Sequence, residues 1–89
     1  MGRQPEKHMS AAESEESDRL RWLEAQAEQA YGRMYDAGYN GATACYSDAK
    51  EFLYDAISLA KQFGMEEEAE RLSKRLAHIK AVFRSQFTS

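Results

Sequence analysis

Three stretches of this chain repeat apolar residues every three or four positions, and that period leaves little choice but a set of amphipathic α-helices. In the first stretch Leu20, Leu23, Ala27, Ala30, Met34 and Ala37 recur 3-4-3-4-3. At about 100° per residue they share one face. The second carries Cys45, Ala49, Phe52, Ala56, Leu59 and Phe63 as a central stripe, widened on one side by Tyr46, Leu53, Ile57 and Ala60. A stripe of about 160° touches two neighbours, so this helix belongs in the middle. Met65, Ala69, Leu72, Leu76, Ile79 and Phe83 form the third, repeating 4-3-4-3-4.

Turn chemistry separates the three. Gly38-Tyr39-Asn40-Gly41 interrupts the first pattern, and Gly64 ends the second, because glycine accepts the left-handed backbone found just past a helix end. The short link at Gly64 makes helices two and three an antiparallel hairpin. Glu66, Glu67 and Glu68 at the start of helix three, with Lys80 and Arg84 near its end, suit the helix dipole. The expected fold is all-α: a three-helix up-down-up bundle with helices at about 18–37, 43–63 and 65–87 in a single domain, 18–88. Residues 1–17, polar and acidic without an apolar period, read as a disordered tail. Within it, Met1 to His8 reads as a cloning remnant, with Met9 as the natural start.

With 89 residues and only about 70 of them available to a core, such a domain gains from oligomerising or from a partner. A single cysteine, Cys45, excludes an internal disulfide and is expected as a buried, inert thiol on helix two's stripe. Neither a signal peptide nor a membrane span is evident, so the expected setting is cytoplasmic, with no membrane partner. Charge is uneven. Residues 1–70 carry 7 Lys/Arg against 15 Asp/Glu, whereas residues 71–89 carry 5 Lys/Arg and no acid.

Trp22 stands out. It lies about 120° from the centre of helix one's stripe, among Gln26, Gln29 and Arg33, and a Trp on a polar face is a candidate interface anchor unless helix three or the tail covers it. Tyr31, Tyr35 and Tyr39 follow at four-residue intervals along the edge of helix one, with Tyr46 beside helix two's stripe. They either line a groove for a peptide or sit as shoulder residues with buried rings and wet hydroxyls. Tyr54, between Lys50 and Lys61, is expected to be exposed. On helix three Arg71, Lys74, Arg75 and His78 form a basic flank. Such a flank follows a phosphate backbone in one reading and balances acidic neighbours in the other.

Two short stretches resemble known families. Ala77-His78-Ile79-Lys80 resembles the exposed histidine of histidine-containing phosphotransfer domains, which implies phosphorylation at His78. In that family, however, a glycine follows the histidine and a lysine stands third after it, where this chain has Ala81. Ala49-x3-Leu53-x2-Ala56, ending near Gly64, resembles the second helix of a tetratricopeptide repeat, which implies helix packing alone, since no 34-residue period recurs.

Catalytic, cofactor and metal sites are not expected: Cys45 and His78 fall short of a zinc ligand set, and no phosphate-binding loop precedes a helix. The sequence therefore points to a non-enzymatic protein–protein interaction module, its partner another protein or a second copy of itself. The alternative is an anion-directed regulator using the helix-three flank, with nucleic acid disfavoured by the net charge of −3.

Overall fold

A computed structural model describes residues 11–87, with side chains throughout that span except at residues 11–14 and Tyr39. It contains three helices, α1 (Ala11–Met34), α2 (Gly38–Gln62) and α3 (Glu66–Gln86), and no strand among the described residues. The bundle is up-down-up, with α2 in the middle.

Two helix starts differ from the expected ones. The first helix begins at Ala11, so residues 11–17 of the anticipated tail belong to α1, while residues 1–10 lie outside the described span. The acidic residues that suggested a tail stand in the opening turns of a helix, where negative charge opposes the dipole's positive end. The second helix begins at Gly38 rather than near Thr43. Tyr35 to Ala37 make the whole turn, held by Tyr35 N–H to Gly32 O (3.2 Å) and Asp36 N–H to Arg33 O (3.1 Å). Gly38 carries the left-handed backbone at φ +77°. Asn40 and Gly41 sit inside α2's first turn, and Gly41 is needed there because a Cβ would stand 2.8 Å from that of Ala37.

The α2–α3 link follows the expected plan. Gly64 adopts φ +73°, its N–H bonds to Lys61 O at 3.2 Å, and the N–H of Met65 reaches back to Ala60 O at 2.8 Å. This pair of reversed bonds is a Schellman motif, and Met65 packs against the core as that motif favours.

Leu20, Leu23, Ala27, Ala30 and Met34 of α1 are buried, as are Ala69, Leu72, Leu76 and Ile79 of α3. On α2 the buried set is Ala42, Ala49, Leu53, Ala56, Ile57 and Ala60. Its axis is rotated toward the side that sequence reading treated as the widening. Cys45, expected to be buried, is only half-buried, as are Phe52 and Leu59, and Phe63 is 47% exposed. Alanines dominate the buried faces of α1 and α2, and the larger residues beside them lie at the margin.

Helices α1 and α3 run parallel, and side chains give their register. Glu24 meets Arg71, Glu28 meets Arg75, and Tyr31 meets His78, each pair 47 residues apart. Glu66 therefore stands level with residue 19, so α3 starts about two turns further along the bundle than α1. At the far end, α3's last turn overhangs the α1–α2 turn.

Candidate interaction surface

The basic flank forms an intramolecular ladder with α1. Arg71 donates to both carboxylate oxygens of Glu24, through Nη1 at 2.7 Å and Nη2 at 3.0 Å, and also to Glu68 Oε1 at 2.6 Å. Arg75 forks onto Glu28 in the same manner, through Nε at 2.7 Å and Nη2 at 2.6 Å. Hydrogen bonding from Arg71 holds the Glu24 carboxyl below its ordinary range against the opposing effect of burial. The bond to Glu28 likewise raises Arg75. Lys74 faces Glu70 at 3.6 Å, an exposed i,i+4 pair. The i,i+4 spacing of Glu24 and Glu28 matches that of Arg71 and Arg75.

The tyrosines belong to a second cluster, where α3's last turn overhangs. Tyr31 and Tyr35 bring their hydroxyls within 3.2 Å and their rings edge to face. That hydrogen bond is the main reason Tyr31 titrates above its ordinary value. The guanidinium of Arg75 lies over the Tyr31 ring at 5.0 Å. Tyr35 meets Phe87 edge to face, and Tyr46 stacks on Phe83 at 3.9 Å. Tyr31 and Tyr46 are half-buried, while Tyr35 is 50% exposed. The backbone of Tyr39 lies in α2's first turn; its side chain lies outside the described residues. Tyr54 is exposed, with the Lys80 ammonium 5.3 Å from its ring centroid.

Trp22 sits apart from this cluster. It is 56% exposed, and its ring packs edge to face on Phe52 of α2, centroids 6.0 Å apart. Trp22 and the tyrosines, read together from sequence as one surface, lie on opposite sides of α1. Tyr31 and Tyr35 stand on the side turned to α3, and Trp22 stands beyond the seam with α2.

Phe52 and Leu59, seven residues apart on α2, line this outer side of the seam together with Leu23 and Trp22 of α1. Arg19, Leu23, Asp55, Ser58, Leu59 and Gln62 border a shallow cleft of about 260 Å³ between the two helices. The apolar period alone puts Phe52 and Leu59 at the core's centre.

No group of three or more His, Cys, Asp or Glu side chains suited to a metal occurs among the described residues. Nor is any described helix long and apolar enough to cross a membrane. Set against family models, curated proteins and solved structures, the chain matches none.

Proposed function

We propose that this chain is a small helical protein–protein interaction module with no catalytic activity of its own, working in the cytoplasm through its outer α1–α2 face. The observation that carries the reading is Trp22: the chain's one tryptophan is 56% exposed on a surface otherwise floored by Phe52, Leu23 and Leu59. A half-exposed Trp bedded on another aromatic ring offers a partner a large, rigid apolar contact at little entropic cost. Tyr35, the most open of the described tyrosines on the α3 side, is a secondary contact.

The anion-directed reading has weaker support, because the forks of Arg71 and Arg75 are already taken by Glu24, Glu28 and Glu68. A phosphate would have to displace these carboxylates. Saturable binding of short duplex DNA or RNA that weakens steeply with salt would favour it instead.

Iodide quenching of Trp22 fluorescence tests the first reading. In the isolated monomer the quencher reaches the ring. Bound partner reduces quenching, and Trp22→Ala lowers partner affinity by about 2 kcal/mol while helical circular dichroism stays unchanged. A partner bound equally well by Trp22→Ala would refute the role of this face.

A further inference from the structure

The outer α1–α2 face has a charge pattern that constrains what can cover it. At seven-residue intervals α1 presents Arg19, Gln26 and Arg33, and α2 presents Asp48, Asp55 and Gln62. A seven-residue step returns to nearly the same face of a helix, so these are two rows: the α2 row runs outside Phe52 and Leu59, and the α1 row runs between Leu23 and Trp22. The charged members of the α1 row are basic and those of the α2 row acidic, with Asp18 beside Trp22 and Arg19 on α1. All four charged residues are exposed, and among the described residues no ion pair joins Arg19 to Asp55, although both border the same cleft.

A surface with one positive and one negative row is complementary to itself under one particular symmetry. Rotation by a half-turn about an axis parallel to the helices brings α1 of one copy over α2 of the other and preserves height along the bundle. Arg19 and Asp55 stand at the same height, since they flank one cleft, so each then meets the other's counterpart. A half-turn about an axis perpendicular to the helices would instead set basic row on basic and acidic on acidic. We propose that the occupant of this face is a second copy of the chain, related by a two-fold axis parallel to the helices, with Trp22 of each copy buried over the partner copy's α2 and Arg19 paired across the interface with Asp55. The proposal rests on the interaction reading above and names its partner.

Size is consistent with a stable pair. The 24 residues of α1 span about 36 Å, and two helices packed side by side present a face about 20 Å across. That is about 700 Å² per copy, or about 1,400 Å² in all, within the range of specific interfaces. Such a contact would also supply apolar burial that so small a core lacks by itself.

Sedimentation equilibrium on the full chain provides the test, with circular dichroism of each variant to establish that it is folded. The wild type is expected to be a dimer, and Trp22→Ala to weaken it about 30-fold. Arg19→Asp and Asp55→Arg place like charges across the interface, and each alone is expected to weaken the dimer at least about tenfold. Mixed in equal amounts, these two variants pair opposite charges at both contacts and form a heterodimer close to wild-type strength. Pairing within one chain cannot be restored by mixing, so that result is specific to the interchain contact. Three outcomes would overturn the proposal: a wild type monomeric at every attainable concentration, a dimer indifferent to Trp22→Ala, or failure of the mixture to recover. In the first case, Trp22-dependent binding of a different, identified protein would leave the broader interaction reading standing.

Discussion

At Gly64 the backbone takes φ +73°, a conformation that an L side chain resists, while the space around the missing Cβ is open. Gly64→Ala therefore meets backbone strain and no collision, and should cost about 1 kcal/mol, or about 5 °C in Tm, measured by thermal denaturation. Glu16 is the opposite case, a residue whose removal should help. It continues α1's buried stripe one turn ahead of Leu20, and its Oε1 is shielded from water without a hydrogen-bond partner. Glu16→Met keeps the length and removes the orphaned oxygen. A gain of about 1 kcal/mol in urea denaturation is expected; no gain would mean that the carboxylate is better solvated than its surroundings imply. Position 16 was hidden in the sequence because a glutamate interrupts the apolar pattern just where the helix extends into an acidic run. Trp22 was legible as misplaced, whereas its contact with Phe52 was not, since a helical wheel says nothing about the neighbouring helix.

At the scale of elements, the paired α1–α3 ladder is the feature with the clearest measurable sign. The folded-state pKa of Glu24 lies below its unfolded value. Its contribution is therefore fully present above about pH 4.5 and is lost as pH falls through the folded pKa. Thermal stability should drop in acid, and Arg71→Gln should flatten that drop while leaving the helices intact. The Arg75–Glu28 fork is about one-third exposed on each side, so a double-mutant cycle should return a coupling of about 0.5–1 kcal/mol. All three helices and their order follow from apolar period and glycine placement. Their boundaries followed less well: α1 gained residues 11–17 and α2 gained 38–42, because charge runs and an Asn-Gly step resemble breaks when neighbours are unknown. The ladder was half-legible, since like spacing in two segments suggests pairing but cannot tell a parallel register from an antiparallel one.

For the molecule as a whole, the alanine-filled α1–α2 contact sets how tightly the bundle closes. Ala49 is fully buried there, and Ala49→Leu should cost about 1–3 kcal/mol by forcing the helices apart. The same change would widen the outer cleft between Arg19 and Asp55, so stability and self-association should weaken together in this variant. The three helices are also staggered. With Glu66 level with residue 19, the segment 11–18 extends past the start of α3. Its amides should accordingly surrender their protons to heavy water earliest among the helical segments, and protease nicks at that end should precede global melting. A bundle built this way loosens from a single tip, as a rope unlays from its cut end.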